Sequence, residues 1–321
     1  MDELLTFEVL LEKYFYAKTL RPDTQWSYCK VVRTFTKFAK VLPGEVSADL
    51  VLRWKEEVLK VQGLKVRTWN NKVAHMRALF NFAIKKKLFQ EENPFNGVVA
   101  CPGVKRKKTL SDSQLETVYR VMQQQRGREQ SGDRYRNALA PAWFWTAVLD
   151  ILRYTAIRQN QFLHIRISDV DFDSHCIHLR LEGAKNHREH QVPIISALRP
   201  SLEELVSQVT KAGAMPHEQL FNIAWFDFRR KANYQDGMTK VPLRSFFRRL
   251  SRECGFLVSP HRFRHTIATK LMRTPERNLQ TVKTLLGHVS LASTLEYEEV
   301  NIESLKATLE QELRWGKMAH I

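Results

Sequence analysis

Cysteine is scarce in this chain. There are four in 321 residues, Cys29, Cys101, Cys176 and Cys254, far apart and without a C-x-x-C pair, which excludes a disulfide-stapled framework and leaves them as reduced packing residues in a reducing compartment. Long apolar runs are missing as well. The uncharged stretch from Ala138 to Leu149 is 12 residues long and contains Pro141, well short of the roughly 20 apolar residues of a spanning helix. The N-terminus, MDELLTFEVL, is acidic and has no basic start followed by an apolar stretch and a cleavage site, so no export signal is expected and the chain reads as cytoplasmic. No repeat of fixed period and no low-complexity tract is present. Acidic charge is the remaining deficit: 34 Asp and Glu stand against 51 Lys and Arg, a net charge of +17. Hydrophobic residues at 43% and charged residues at 26% are ordinary for a globular protein, so disorder does not explain the excess. A polyanionic partner does, nucleic acid before an anionic membrane.

The length suggests about two domains, and the charge divides unevenly between them. Residues 1–108 hold 21 basic and 11 acidic residues, +10, which leaves +7 for the remainder. The first part reads as helices throughout. In TWNNKVAHMRALFNFAIKKKLF, Val73, Met76, Phe80 and Ala83 recur on one helical face, and the helix closes on Lys85, Lys86 and Lys87, suited to a C-terminal dipole, before Asn93-Pro94 breaks it. A linker with a charged end follows, marked by Pro94, Gly97, Pro102 and Gly103 and by Lys105, Arg106, Lys107 and Lys108. The expected organisation is a helical DNA-binding domain over 1–100, a basic linker over 101–108 and a second domain over 109–321, opened by a helix capped at Ser111 or Asp112. The basic run reads either as a solvated charge tract or as a tether along a DNA backbone.

The second domain is helical except around DVDFDSHCIHLRLEGAKNHREHQVPII. There Ile177, Leu179 and Leu181 alternate with His178 and Arg180, a turn follows near Gly183, and Gln191 to Ile194 form a returning strand. The fold class is therefore mainly α with a small β-hairpin or sheet. His175, Cys176, His178, His187 and His190 could be zinc ligands, but alternation sends His175 and Ile177 to one side and Cys176 and His178 to the other. No tight paired spacing supports a metal, and none is expected.

Cleaving a phosphodiester requires a nucleophile, cations on the non-bridging oxygens and an acid for the leaving alkoxide. SPHRFRHTIATKLM supplies one part. Ser259 suits an N-cap, Pro260 the first helical position, and His261 and Arg264 then share the first turn of a helix whose dipole favours phosphate. The other reading is a basic surface turn. In LLGHVSLASTLEYEEV, Gly287 suits a left-handed helix end, His288 follows it, and Tyr297 lies nine positions on (297 − 288). Lys185 sits at the hairpin turn, and Arg158 follows a short apolar run.

The order TAIR, GAKNHREHQVPI, HRFRH, LLGH, LEY resembles the tyrosine recombinase, or phage integrase, family over nearly the whole chain. The resemblance implies a two-domain C-shaped clamp on double-stranded DNA, a dimer on each site, a tetramer in the synapse, and accessory DNA-bending or directionality proteins, at the nucleoid. It further implies that Tyr297 is the nucleophile forming a 3′-phosphotyrosine, and that Arg158 and Arg264 hold the non-bridging oxygens. Lys185 would protonate the leaving 5′-oxygen, and His261 and His288 would assist; neither cofactor nor metal is required. The chain departs from the family pattern at Ala156, usually Gly, and at Gln161, usually acidic. A type IB topoisomerase and a non-catalytic DNA-binding regulator are the alternatives. After Tyr297, the stripe Ile302, Leu305, Leu309 and Leu313 suits docking on a neighbouring protomer.

Overall fold

The protein is seen as a computed structural model that describes residues 5–89, 92–103, 108–132, 137–183, 189–227, 237–273, 279–287 and 294–295. It divides into two compact units, Met1–Arg106 and Lys107–Ile321. The first is a bundle of four helices, α1 (Phe7–Ala17), α2 (Pro22–Ala39), α3 (Ala48–Glu56, extended by one wide turn over Glu57–Val61) and α4 (Val66–Lys85). Local chemistry starts the first three. Thr6 and Ser47 accept hydrogen bonds from the backbone N–H groups of Val9 and Leu50, and Pro22 takes the first position of α2, satisfying or removing orphan donors.

The predicted face of α4 is buried as read: Val73, Met76, Phe80 and Ala83 are inside, joined by Trp69 and Leu79. They meet Phe7 and Leu10 of α1, Phe35 of α2 and Trp54 of α3 in one core. Each such side chain contributes about 1.5–3 kcal/mol on leaving water. The part of the chain that reads as the start of a linker is instead tied to α4. Phe95 is fully buried, Trp69 Nε1 donates to the Val98 carbonyl at 2.9 Å, and Asn70 exchanges two hydrogen bonds with the backbone of Ala100. Proline and glycine there break the helix without releasing the chain.

The second unit contains α5 (Asp112–Gln130), α6 (Ala142–Thr155), α7 (Gln159–Phe162), α8 (Arg199–Lys211), α9 (Lys240–Cys254), α10 (Pro260–Met272) and α11 (Leu279–Leu286). Ser111 caps α5, accepting from Gln114 N–H. The uncharged run became α6, whose Phe144, Trp145, Val148, Ile151 and Leu152 are buried at the centre of the core. Asp150 is the one carboxylate in this helix; it accepts hydrogen bonds from the Tyr119 and Ser201 hydroxyls, and burial raises its pKa. The same core is flanked by a three-stranded antiparallel sheet, β1 (Val170–Asp171), β2 (Cys176–Leu179) and β3 (His190–Pro193), in that order. Ile177, Leu179 and Val192 point into the core. Two details differ from the pattern in the sequence. A third strand, β1, pairs Val170 with Ile177 and Asp171 with Cys176, and Leu181 lies outside the strand, in a tight helical turn over Leu181–Gly183, 45% exposed.

Candidate active site

Arg158 is placed by the way α6 ends. Ala156 adopts the left-handed conformation, φ +55°, the position that glycine favours at a helix C-terminus, which gives a reason for the family's usual glycine there. The turn sends the chain directly into α7 with Arg158 as its N-cap. The Arg158 N–H donates to Gln161 Oε1 at 3.0 Å. Its guanidinium turns the other way, with Nη1 and Nη2 at 3.4 and 3.5 Å from the carbonyl oxygen of Gly287.

Arg264 arrives from α10. Ser259 accepts from Arg262 N–H and Pro260 occupies the first helical position, as the sequence indicated. The side chain is only 5% exposed; Nη1 donates to the carbonyl of Ala156 at 2.7 Å and Nη2 to that of Leu286 at 2.8 Å. Two arginines 106 positions apart (264 − 158) thus converge on Leu286 and Gly287, the end of α11 and the residue that stops it in the left-handed conformation, φ +57°. Carbonyls at a helix C-terminus carry partial negative charge and suit guanidinium groups. Beneath them Ala156, Ala268, Val282 and Leu286 form a small apolar cluster, whose close packing fixes the three segments that meet there.

The two members of the H-x-x-R motif do not present themselves alike. Arg264 points inward, whereas His261 is exposed and shares a 2.7 Å hydrogen bond with His265, Nε2 to Nε2. One ring must donate and the other accept. The i,i+4 spacing in HRFRH carried this pairing, which spacing to Arg264 alone does not reveal.

Three further residues complete the described cluster. His190 of β3 packs against Gly287, where a Cβ would come within 2.7 Å of its Cε1. Gln161 Nε2 lies 3.5 Å from His190 Nδ1. Burial, followed by the guanidinium charges of Arg158 and Arg264, lowers the His190 pKa to about 4, so the ring stays neutral near two cations at neutral pH. Gly183 presses on the same place: a Cβ there would fall 2.8 Å from the Gln161 Cα, and Asn160 Nδ2 donates to the Gly183 carbonyl at 3.2 Å. Gln161, 2% exposed, therefore occupies the usual acidic position as a neutral group that accepts from Arg158 and faces His190.

Of the residues expected at the site, Arg158 and Arg264 are brought together, with His261 on the same helix as Arg264. Lys185, His288 and Tyr297 lie outside the described residues, as do Lys105, Arg106 and Lys107 and the stripe Ile302, Leu305, Leu309 and Leu313. The chain on either side of Lys185 is nevertheless anchored at the cluster, Gly183 against Gln161 and His190 against Gly287. Lys85, Lys86 and Lys87 are exposed at the end of α4 in the first unit, and Lys108 is exposed at the start of the second. The histidines of the sheet diverge. His190 faces the arginines, His175 Nδ1 lies 3.1 Å from Arg199 Nη1, and His178 lies on the solvent side.

Residues 108–304 match the phage integrase family, and the chain belongs to that family. Among curated proteins it is 34% identical over 310 residues to a putative tyrosine recombinase XerC of Pseudomonas aeruginosa, covering 95% of this chain and 71% of the relative. A protein of the same description from Pseudomonas syringae is 31% identical, covering 96% and 64%. Tyrosine recombinase XerC of Bacillus subtilis is 28% identical over 258 residues, covering 77% and 75%. The fold is similar to that of the Tn1549 transposon integrase in complex with a circular intermediate DNA, with a TM-score of 0.73 at 18% identity over 96% of this chain and 99% of that one. It is also similar to that of a lambda integrase dimer bound to a core site, with a TM-score of 0.65 at 15% identity over 92% and 77%. Among the described residues no helix is long and apolar enough to cross a membrane.

Proposed function

We propose that this protein is a site-specific DNA recombinase that cuts and rejoins duplex DNA by strand exchange between two sites. The observation that carries this reading is the convergence of Arg158 and Arg264 on the carbonyls of Leu286 and Gly287, in a chain of the phage integrase family. A phosphate oxygen carries more charge than a carbonyl and competes well for a guanidinium. Two such groups held rigidly stabilise the negative charge that builds on the non-bridging oxygens without reorganising during the reaction.

The Tyr297 oxygen attacks the scissile phosphorus, its proton passing to a neighbouring base. The bond from phosphorus to the 5′-oxygen breaks, and Lys185 protonates the departing oxygen. The 5′-hydroxyl of the partner strand then attacks the phosphotyrosine, the phosphodiester forms and the tyrosine is released. Each step exchanges one ester for another, so bond energy is conserved. His261, hydrogen-bonded to His265, and His288 assist by hydrogen bonding and proton transfer. The working assembly in this proposal is a dimer on each site and a tetramer in the synapse at the nucleoid, with accessory DNA-bending or directionality proteins, and the basic residues Lys85 to Lys87 and Lys105 to Lys108 lie along the phosphate backbone.

A nicked suicide site tests the chemistry. Wild-type protein is expected to form a denaturant-resistant adduct with the DNA, because the released fragment diffuses away before it can reverse the ester. Tyr297→Phe keeps the ring and removes the hydroxyl, so DNA binding should persist while the adduct disappears. An adduct formed by Tyr297→Phe, or mapped to another tyrosine, overturns the assignment.

A further inference from the structure

The solvent face of the small sheet gathers three residues that the strand alternation alone does not bring together. Register places Asp171 of β1 directly opposite Cys176 of β2, and His178, two residues along β2, shares that face. One ligand atom from each, a carboxylate oxygen, the thiol sulfur and an imidazole nitrogen, lies within 4.8 Å of the others. Cys176 Sγ and His178 Nε2 are 3.6 Å apart. With bonds of about 2.3 Å to sulfur and about 2.0–2.1 Å to nitrogen, tetrahedral zinc requires a sulfur to nitrogen separation of about 3.5–3.6 Å. The surroundings hold two of the ligands in place. Asp171 Oδ1 accepts the N–H groups of Asp173 and Ser174 at 2.9 and 2.8 Å, which fixes the carboxylate on its turn. His178 Nδ1 lies 3.3 Å from the side-chain amide of Gln191 on β3, opposite it in register. With its amide turned so that the oxygen faces Nδ1, Gln191 accepts the Nδ1–H of a ring whose Nε2 binds metal, the usual support of a metal-bound histidine.

We propose that Asp171, Cys176 and His178 form a zinc site on the outer face of the sheet, with water as the fourth ligand. The donor set of thiolate, imidazole and carboxylate selects zinc over magnesium or calcium, which take oxygen ligands. The ion clips β1 to β2 across their turn and, through Gln191, braces β3, so it stiffens the strand pair from which residues 184–188 spring. It takes no part in the phosphoryl chemistry. The proposal is independent of the recombinase reading, because it rests on the opposite side of the sheet from His190 and the arginines.

Cobalt(II) is the probe. The full chain, stripped with chelator and reductant, is titrated with cobalt and then with zinc. One equivalent of cobalt is expected to give a thiolate charge-transfer absorption and the strong visible bands of a tetrahedral site, both removed by zinc. Cys176→Ser should abolish the charge-transfer band. His178→Ala and Asp171→Asn should weaken affinity by more than about 10-fold, and Gln191→Ala by about 10–100-fold. Cys254→Ser should change nothing, since burial pushes that thiol up to about 11. The substitutions are on the solvent face, and an unchanged far-ultraviolet circular dichroism spectrum confirms folding. A second readout is alkylation of Cys176, which zinc should slow in the wild type and not in His178→Ala. Absence of a saturable cobalt band, or a band kept by Cys176→Ser, overturns the site and leaves the 3.6 Å contact as a thiol to imidazole hydrogen bond.

Discussion

His190 illustrates how one residue is given its state by its neighbours. Its pKa of about 4 in the fold, against a reference of 6.5, means that between those values the unfolded chain binds a proton that the folded chain refuses. Stability from this group is full above the unfolded value and is lost as pH falls toward 4, by no more than about 3 kcal/mol. Denaturant midpoints should therefore drop between about pH 7 and pH 5, and His190→Gln should flatten part of that slope; an unchanged slope rejects the assignment. Gln161→Glu puts a carboxylate beside the imidazole and should raise the His190 pKa, read from its ring resonances by NMR, because an opposite charge favours the protonated form. Ala156 presents a competition of two small terms. Its left-handed backbone costs about 1–2 kcal/mol for a non-glycine residue, while its buried methyl contributes about 0.8 kcal/mol. Ala156→Gly should thus be neutral to slightly stabilising in thermal unfolding, and Ala156→Val destabilising by more than about 2 kcal/mol from strain and overpacking together. The functional departures from the family pattern were visible in the sequence as single letters. Their consequences were not, since neither the φ of Ala156 nor the packing of Gly183 against Gln161, too close for a Cβ, is a property of neighbouring residues in the chain.

At the scale of elements, the contact of the Leu181–Gly183 turn with α7 is a constraint of backbone against backbone. A methyl at Gly183 meets the Gln161 backbone at 2.8 Å, and backbone on both sides leaves no flexible side chain to yield. Gly183→Ala is expected to cost about 1–3 kcal/mol and to slow cleavage of the suicide site more than it weakens DNA binding, because it displaces α7 and the approach to Lys185 without touching the basic surfaces. Equal loss of both would indicate general unfolding. Helices whose start signals lie within four residues were legible in advance. Ser111 and Ser259 cap α5 and α10, Pro260 opens α10, and Gly287 ends α11 in the left-handed conformation. The sheet was legible only in part, since β1 is two residues long and exists by pairing with β2, with no periodicity of its own to read.

For the molecule as a whole, +17 is a statement about ionic partners. A protein that neutralises many phosphates releases a counterion for nearly every contact, so affinity for duplex DNA should fall by about 10³–10⁵ between about 50 and 200 mM salt. A flat affinity would remove DNA as the partner. The two compact units differ in charge density, +8 over residues 1–106 against +9 over the longer remainder, so the first should carry a part of the salt slope larger than its length would give. Replacing Lys85, Lys86 and Lys87 together by alanine should lower that slope by up to about 3 while leaving adduct formation at saturating DNA unchanged.

The sequence by itself determined the helices, because their caps, breakers and 3.6-residue periodicity are local and each apolar face announces that it needs a partner. Through the order of its short motifs it also carried the resemblance to the phage integrase family, and with it the class of chemistry to expect. The tertiary structure alone decided which carbonyls hold the two arginines, that His190 is kept neutral near them, and that Asp171 meets Cys176 and His178. The first two join segments remote in the chain and the third depends on which residues face each other across a turn, and burial, close packing and strand register set them through distances that no local pattern encodes.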